Sequence, residues 1–184
     1  MLRTEYEARA GQWSDIQGHL PALHAAVADR PAAQVLELGV RWGTSTACLL
    51  AAAEATDGHV WSVDVAEPAV PDWWAGTGLW TLTVGDDLDP AVAAAQPVEL
   101  DVLFVDTSHT YGQTTAELRL YVPRVRPGGM VLLHDTELQV PEAASASDPL
   151  FPVARALDDY CAARGLEWEN RTGSYGLGVI RVPA

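Results

Sequence analysis

The stretch that decides the fold of this chain is Val35-Leu36-Glu37-Leu38-Gly39-Val40-Arg41-Trp42-Gly43-Thr44-Ser45-Thr46. A mostly apolar run that contains one acid is followed by two glycines four residues apart, and then by hydroxyl residues that can begin a helix. This order predicts a buried parallel strand, a tight turn without side-chain bulk, and a helix N-terminus.

A second predicted strand, 60–63, ends at Asp64, where the acid of a βαβ unit can accept hydrogen bonds from a ribose. Together the two features indicate a cofactor that carries a nucleoside. The dinucleotide fingerprint is G-x-G-x-x-G, whereas this loop has only Gly39 and Gly43, with Arg41 where the middle glycine would stand. A nicotinamide cofactor is therefore disfavoured. A strand–turn–helix corner without a ligand is the structural alternative.

Composition narrows the classes of function. The 184 residues are predicted to form one domain, 1–184, that buries roughly 70% of its unfolded-chain surface. The net charge of −14, with no lysine, argues against nucleic acid or an anionic membrane as partner. No apolar run approaches the ~20 residues of a membrane span, and the N-terminus does not read as a secretory signal, so a cytoplasmic location is expected. Cys48 and Cys161 are expected to be small core residues.

Apolar strand patterns alternate with amphipathic helix patterns along the chain. Strands are predicted at 34–38, 60–63, 80–84, 101–105, 130–133, 167–170 and 176–182, with the main helices at 44–56, before Tyr121, and at 152–164. This order predicts an α/β fold: a doubly wound, Rossmann-like sheet of about seven strands, mostly parallel with an antiparallel C-terminal hairpin, and helices on both faces. Residues 1–30 are expected to form a helical segment that contributes to the site. Within it, Trp13 to Val27 has the apolar face of a helix, which Pro21 is expected to split into two short helices. Residues 66–79 are predicted to be a loop, and Pro127-Gly128-Gly129 a turn.

The E-x-G-x-x-x-G pattern resembles motif I of the class I S-adenosylmethionine-dependent methyltransferases. Asp64, Gly85-Asp86 and Pro127-Gly128-Gly129 follow in the order that this family shows. The resemblance implies that S-adenosyl-L-methionine is the cofactor and that the third-strand acids contact its adenine. The expected cofactor-binding residues are Glu37, Gly39, Arg41, Gly43, Ser45, Asp64, Val65, Gly85, Asp86, Asp87 and Asp106. For Arg41, a solvated guanidinium is the alternative.

Two segments, 103–111 (LFVDTSHTY) and 129–136 (GMVLLHDT), carry a narrower resemblance. They resemble the macrolide-sugar and cephalosporin-hydroxylase-like O-methyltransferases and, more distantly, the catechol and caffeoyl-CoA O-methyltransferases. In those enzymes the aspartates that end strands four and five bind Mg²⁺. The resemblance implies that Asp106, Asp135 and Thr136 are metal ligands. Thr136 stands where the catechol type has Asn, so Glu137 is an alternative third ligand.

The positions of Asp106 and Asp135 support this metal site on physical grounds as well. Neighbouring parallel strands would bring the two carboxylates to roughly 5 Å from each other. Two carboxylates so close require either a raised pKa or a cation between them, and a hard divalent ion that prefers oxygen suits the place. Such an ion can lower the pKa of a substrate hydroxyl. The alternative is that Asp106 caps a helix and Asp135 is a turn residue.

Histidines supply the predicted proton acceptor. His109 follows Asp106 by three residues, the offset at which the sugar O-methyltransferases carry a histidine, and a reference pKa near ~6.5 suits a general base. His109 and Asp106 are therefore the predicted catalytic residues, with a merely solvated His109 as the alternative. His134 is expected to face away from Asp135, because neighbours in a strand point to opposite sides. The remaining histidines are expected at the surface, namely His19, His24 and His59.

The sequence thus predicts an O-methyltransferase that moves the methyl of S-adenosylmethionine, with Mg²⁺, to a hydroxyl of a small metabolite such as a sugar or phenolic natural product. A homodimer is possible. Trp73, Trp74 and Trp80 are expected first in the core, with an acceptor wall or a dimer contact as alternatives. Three functional alternatives remain open: a metal-independent methyltransferase on the same fold, a nicotinamide-dependent reductase, and a cofactor-binding protein without catalysis.

Overall fold

The structure is a computed structural model that describes residues 1–139 and 149–184. Its strands are β1 (Gln34–Leu38), β2 (His59–Asp64), β3 (Trp80–Val84), β4 (Leu100–Val105), β5 (Val125–His134), β6 (Trp168–Arg171) and β7 (Leu177–Arg181). Its α-helices are α1 (Leu2–Ala10), α2 (Leu20–Ala28), α3 (Thr44–Thr56), α4 (Pro90–Ala94), α5 (Tyr111–Tyr121) and α6 (Pro152–Ala162). None of the helices within these two ranges is long and apolar enough to cross a membrane.

The strands form one seven-stranded sheet in the order β3-β2-β1-β4-β5-β7-β6. β1 to β5 pair in parallel, whereas β7 pairs antiparallel with both β5 and β6. The predicted fold class is confirmed. The chain moves outward from β1 to β3 and then returns to place β4 on the other side of β1. A crevice opens where the order reverses, at the carboxyl ends of β1 and β4, and ligands of such folds bind there.

Apolar side chains on the two faces of the sheet pack into two core clusters. Val35 of β1 belongs to the cluster under α1, α2 and α3, whereas its neighbour Leu36 belongs to the cluster under α5 and α6. Strands buried on both faces carry nearly continuous apolar sequence, which is why β1 and β4 are recognisable in the chain. Cys48 and Cys161 are free thiols, buried in one cluster each, as expected.

Helix α1 lies within the segment 1–30 that was expected to be helical, although no apolar pattern in the sequence gives its bounds. Only Leu2 of this helix is buried, so it lacks the apolar stripe that identifies a helix packed on a core. Its helical signal lies instead in two ion pairs between residues four apart, Arg3–Glu7 at 2.9 Å and Arg9–Glu5 at 2.8 Å.

Two predicted irregular segments are regular in the structure. Residues 66–79 contain a 3-10 helix, Asp72–Thr77. Pro127-Gly128-Gly129 lies within β5 and not in a turn before it, at an irregularity where the register with β4 shifts. A side chain on Gly129 would come within 2.8 Å of the carbonyl oxygen of Asp101, so glycine permits this close approach of the two strands. The predicted division near Pro21 is observed, since a 3-10 helix at Gln17–His19 ends directly before α2 and Pro21 lies in the first turn of α2.

The tryptophans of the 3-10 segment pack in the core. Trp74 is fully buried and meets Trp73 and Trp80 edge-on, at ring-centroid distances of 6.4 and 5.7 Å. The indole N–H of Trp80 donates to Ser62 Oγ at 2.9 Å. The cluster covers the sheet where a longer helix would otherwise stand, in agreement with the first of the three sequence interpretations.

Candidate functional site

The glycine loop between β1 and α3 lies against the end of β4. Gly39 has φ +90°, and a side chain there would collide with the backbone carbonyl of Asp106. Gly43 has φ +73° and directly precedes α3, where a side chain would come within 2.8 Å of the Trp74 ring. Both positions require glycine, because the backbone is left-handed and the space is filled. The loop thus passes close to Asp106.

Glu37 lies beneath this loop and is fully buried. Its carboxylate accepts hydrogen bonds from Ser45 Oγ at 2.7 Å, Thr46 Oγ1 at 2.8 Å and Ser62 Oγ at 2.7 Å. Burial raises the pKa of Glu37 to about 7, against the opposite effect of the three hydroxyl donors. Glu37 and Ser45 therefore hold the start of α3 to β1 and β2. Their contact with a cofactor stays a prediction.

Asp64 lies at the carboxyl end of β2 with its carboxylate turned towards the glycine loop. One oxygen accepts the backbone N–H groups of Val40 and Arg41, both at 2.9 Å, and the other accepts that of Ala66 at 3.0 Å. The side chain of Val65 beside it is 76% exposed. The predicted ribose acceptor is therefore at the crevice, and its hydrogen-bonding capacity is directed to exposed backbone amides.

The N-terminal segment reaches the same loop. The guanidinium of Arg41 contacts the Asp15 carboxylate at 2.9 Å, and Arg41 has φ +52°. Arg9 donates to the backbone carbonyl of Trp42 at 2.5 Å. Residues of 1–30 thus form one side of the crevice, next to the exposed Trp42 ring.

The loop after β3 separates its two acids. Asp86 accepts the backbone N–H of Leu88 at 2.9 Å, whereas Asp87 is buried and accepts the amide of Gln113 at 2.8 Å. Gly85 lies between β3 and α4, where a side chain would come within 2.7 Å of Val92. Of the predicted adenine contacts, only Asp86 faces the crevice rim.

Asp87 faces a buried acid that sequence reasoning missed, Glu117 of α5. Glu117 Oε1 accepts from Thr107 Oγ1 at 2.6 Å and from Gln113 at 3.0 Å. Asp87 Oδ2 and Glu117 Oε2 are both buried, and no donor within the described ranges reaches either of them. Burial raises the pKa of both carboxyls, and the charge of Asp87 raises that of Glu117 further, so the two acids share a proton. No local pattern marks this pair, because its members are thirty residues apart on different elements.

Asp106 and Asp135 meet at the carboxyl ends of β4 and β5, as their strand positions predict. His109 Nε2 lies 3.0 Å from Asp106 Oδ1 and 2.8 Å from Asp135 Oδ2. His134 Nδ1 lies 3.4 Å from Asp106 Oδ1 and 3.2 Å from Asp135 Oδ2. Two carboxylates and two imidazoles therefore form one compact cluster beside the glycine loop.

Mutual interactions set the protonation of this cluster. Burial alone would raise the pKa of Asp106 and Asp135, but the hydrogen bonds of His109 and the charges of His109 and His134 lower both. Burial would lower the pKa of the two histidines, and the carboxylates outweigh it, raising the pKa of His109 to about 9 and that of His134 to about 10. Without an ion, two imidazolium groups thus neutralise two carboxylates.

The expectation that His134 faces away from Asp135 is wrong. Strand β5 ends at His134, and Asp135 has φ +66°, so the alternation of side chains does not extend to it. The surface position expected for His19 is also wrong, since it is buried and its Nε2 donates to the carbonyl of Gly173 at 2.7 Å. His134 lies instead with Asp106 and Asp135. Each of the three residues offers one ligand atom, these atoms lie within 4.8 Å of one another, and together they could hold a metal ion.

Thr136 and Glu137 are directed away from that group. Thr136 Oγ1 donates to Asn170 at 2.6 Å, and Glu137 accepts from Asn170 at 2.8 Å and from the backbone N–H of Gly173 at 3.2 Å. Both side chains tie the segment after β5 to β6 and its following turn. The sequence segment near 136–150 is expected to contribute to acceptor specificity, and its residues 140–148 lie outside the described residues.

Solved structures with the same fold are methyltransferases at low sequence identity. TomG from Streptomyces achromogenes, an O-methyltransferase of tomaymycin synthesis in complex with SAM, has 20% identity and a TM-score of 0.69 over 94% of this chain and 82% of its own. SAH-bound PaMTH1 from Podospora anserina has 14% identity and a TM-score of 0.69 over 100% and 88%. MycE of the mycinamycin pathway, with Mg and SAH, has 14% identity and a TM-score of 0.68 over 97% of this chain and 54% of its own. No curated protein sequence matches the chain.

The family comparison agrees with the fold and with the order of the motifs. The sequence profile described as "Methyltransferase domain" matches residues 36–136, which is more than half of the chain. This range runs from β1 to the residue after Asp135, so it contains the glycine loop, Asp64 and both site aspartates. The match does not support the nicotinamide-dependent reductase. The chain belongs to the methyltransferase domain family and is a class I S-adenosylmethionine-dependent methyltransferase.

Proposed function

We propose that this methyltransferase acts on a hydroxyl oxygen of a small molecule, assisted by a divalent metal ion. The observation that carries the proposal is the convergence of Asp106, Asp135 and His109 at the carboxyl edge, directly beside the glycine loop. Methyl transfer to a hydroxyl needs an acceptor oxygen that loses its proton, and this cluster combines an anionic site with a base. The structurally similar enzymes TomG, of tomaymycin synthesis, MycE, of the mycinamycin pathway, and CalS11, a TDP-rhamnose 3'-O-methyltransferase, favour a natural-product acceptor such as a sugar or phenol.

The crevice has the residues to hold the cofactor. Asp64 would accept hydrogen bonds from the ribose hydroxyls of the cofactor. The glycine loop, whose Val40 and Arg41 N–H groups donate to Asp64, would border the methionine part of the cofactor. The exposed apolar surface of Val65 and the rim position of Asp86 suit an adenine. When bound, S-adenosylmethionine supplies an electrophilic methyl group on a sulfonium centre.

The donor set at the end of β4 and β5 fits a divalent cation. Two carboxylates lie together, and His134 Nδ1 is buried without a hydrogen-bond partner within the described residues. Asp106 and Asp135 would hold the ion, and such an ion lowers the pKa of a hydroxyl that it binds. Thr136 is not included among the proposed ligands, because its hydroxyl is engaged by Asn170.

His109 is the proposed proton acceptor, oriented by Asp106 and Asp135. Ionised carboxylates can only accept hydrogen bonds, so His109 Nε2 carries a hydrogen towards them. With a divalent cation held by Asp106 and Asp135, the charge that keeps His109 protonated would be removed, so the ring would become neutral with its lone pair on Nδ1. Nδ1 is then the atom that would take the proton of the acceptor hydroxyl.

The test measures cofactor binding and methyl transfer separately. S-Adenosylmethionine binding is measured by calorimetry, and transfer of a radiolabelled methyl group is measured against a panel of sugars and phenols with Mg²⁺ or Mn²⁺. We expect Asp64→Asn to weaken cofactor binding by about 10–100-fold, as the loss of charged hydrogen bonds implies, and Asp135→Asn to abolish transfer with the cofactor affinity retained. Glu67→Gln, an exposed acid on the same loop as Asp64, is the matched control and should change neither. Full transfer by Asp135→Asn would show that the assignment of the site is wrong.

A metal-independent reaction is the second candidate, favoured by one observation. His109 and His134 already neutralise the two carboxylates without any ion. In that case a chelator leaves methyl transfer unchanged, whereas His109→Asn still removes it. The chelator experiment therefore decides between the two candidates.

A further inference from the structure

We infer that Asp106, His134 Nδ1 and Asp135 form a mixed nitrogen–oxygen site that binds a transition-metal ion such as Mn²⁺ or Co²⁺ in preference to Mg²⁺. This inference deepens the proposed function and rests on it only for the location of the ion. The inference is based on the orientation of the buried imidazole of His134.

The tautomer of His134 is fixed by a backbone carbonyl. His134 Nε2 lies 2.8 Å from the carbonyl oxygen of Ser174. A carbonyl oxygen can only accept, so the hydrogen is on Nε2, and the neutral ring has its lone pair on Nδ1. The side chain is 1% exposed, so this lone pair is not solvated by bulk water.

The lone pair of Nδ1 faces two acceptors. Asp106 Oδ1 is 3.4 Å away, Asp135 Oδ2 is 3.2 Å away, and no group in residues 1–139 and 149–184 forms a hydrogen bond with Nδ1. A neutral imidazole in this position would be repelled by both carboxylates, and a proton on Nδ1 would form no well-aligned hydrogen bond with either of them. A cation between the three atoms removes the repulsion, and the three ligand atoms lie within 4.8 Å of one another, close enough to share one ion.

The carbonyl that orients His134 belongs to a strained turn. Four consecutive residues between β6 and β7 have positive φ: Gly173 at 86°, Ser174 at 45°, Tyr175 at 62° and Gly176 at 83°. Left-handed backbone at Ser and Tyr costs free energy and persists only where surrounding contacts impose it. His19 provides one such contact by donating to the carbonyl of Gly173.

Other contacts fix the turn from both sides. Glu137 N donates to the carbonyl of Tyr175 at 2.7 Å, and Ser174 Oγ accepts the backbone N–H of Gly18 at 3.2 Å. An imidazole whose far N–H is held by a backbone carbonyl is the arrangement of metal-ligating histidines, because the second hydrogen bond fixes the tautomer and the ring orientation. The strained turn therefore fixes the orientation of the His134 ring through the carbonyl of Ser174.

The donor set determines which ion is preferred. Mg²⁺ prefers oxygen ligands and retains water, whereas divalent ions of the first transition row also accept imidazole nitrogen, with an affinity that rises from Mn²⁺ to Co²⁺. His109 is not needed as a ligand, since its Nε2–H is already directed to the carboxylates and its side chain is 29% exposed. One nitrogen among three protein ligands thus distinguishes this site from one made of carboxylates alone.

The test uses the full-length protein, stripped of metal by a chelator and titrated with MnCl₂, CoCl₂ or MgCl₂ in the absence of cofactor. We expect Co²⁺ to bind about 100-fold more tightly than Mg²⁺, in line with the affinity order for nitrogen-containing sites. In the Mn²⁺-loaded protein, pulsed electron paramagnetic resonance should show the ¹⁴N coupling of a directly bound imidazole. The wild-type spectrum alone overturns the inference if Mn²⁺ binds without this coupling, or if Mn²⁺ does not bind.

Two matched variants assign the nitrogen. His134→Asn should lose the ¹⁴N coupling and reduce the Co²⁺ preference by about tenfold, whereas His109→Asn should retain both. The reverse pattern, with coupling lost only in His109→Asn, contradicts the assignment to His134. Thermal unfolding and S-adenosylmethionine calorimetry on the same samples report folding and cofactor binding. Failure of the proposed function would appear there or in the methyl-transfer assay, independently of the metal spectra.

Discussion

Glu37→Gln should remove a pH dependence of stability that the wild-type protein shows between pH 4.5 and about 7. Burial raises the pKa of Glu37 from 4.5 to about 7. In this window the folded protein keeps the proton while the unfolded chain has lost it, so the stability of the wild type falls as the pH rises. The rise in pKa corresponds to about 3 kcal/mol, since each pH unit is worth about 1.4 kcal/mol.

The Glu37→Gln substitution also lowers the stability of the protein at low pH, where the wild-type carboxyl is protonated. The new amide can still accept from Ser45, but its N–H₂ end faces the hydroxyls of Thr46 and Ser62, which must turn to accept. We expect Glu37→Gln to be about 1–2 kcal/mol less stable than wild type at pH 4.5. At pH 8 it should be at least as stable as wild type, because the buried charge is gone.

The assay is urea unfolding of both proteins at several pH values from 4.5 to 8. Only the difference between the two proteins matters, because all other titrating groups are shared. Glu54→Gln is the control, an exposed acid on the same helix, and its offset from wild type should not depend on pH. A difference between Glu37→Gln and wild type that stays constant across the window would refute the reasoning.

Three further predictions concern the elements around the site. Gly39→Ala should lower the stability measured by thermal unfolding by more than about 2 kcal/mol, because the φ of Gly39 is +90° and the added side chain would meet the backbone carbonyl of Asp106. Gly112→Ala, which has open space around it, should leave the stability unchanged in the same assay. Trp74→Ala should lose about 3–5 kcal/mol in urea unfolding, since the side chain is fully buried, and a loss below 1 kcal/mol would contradict its core position. Glu117→Gln should raise the melting temperature relative to wild type at pH 9 and not at pH 5. At pH 9 the wild-type pair loses its shared proton, whereas the amide of the variant still donates a hydrogen towards Asp87. An equal shift at both pH values would argue against the shared proton.

The central elements of the fold are predictable because their signals are local. The boundaries of β1, α3 and β3 agree with the sequence prediction, since each is a short apolar run or helix pattern closed by glycine or a polar residue. The start of α4 has a local signal of the same kind, because the Asp89 side chain accepts the N–H groups of Ala91 and Val92 and Pro90 is the first residue of the helix. Helix α1 has no such signal, because its stability comes from surface ion pairs and from packing on α3.

The same difference between local and long-range signals applies to the candidate site. The convergence of Asp106 and Asp135 was predictable, because both residues end parallel strands that are neighbours in the sheet. His134 was misplaced because the alternation rule was applied across the end of β5, where the backbone of Asp135 turns left-handed. The contact with Ser174 could not be foreseen, since it depends on the pairing of β5 with β7 and on the turn that precedes β7.

The acids at the carboxyl edge are neutralised in three different ways, and each way indicates a different capacity to bind a ligand. Asp64 is satisfied by backbone N–H groups at an exposed loop, and hydroxyl donors of a ribose can add to these or replace them. Asp106 and Asp135 are satisfied by protonated imidazoles, and a divalent cation supplies the same charge, so ion and protons are exchangeable there. Asp87 is buried and shares its proton with Glu117, and the Gln113 amide of α5 donates to it, so this pair fixes α5 to the loop after β3. In a chain with a net charge of −14, this difference separates the acids that bind from those that only support the fold.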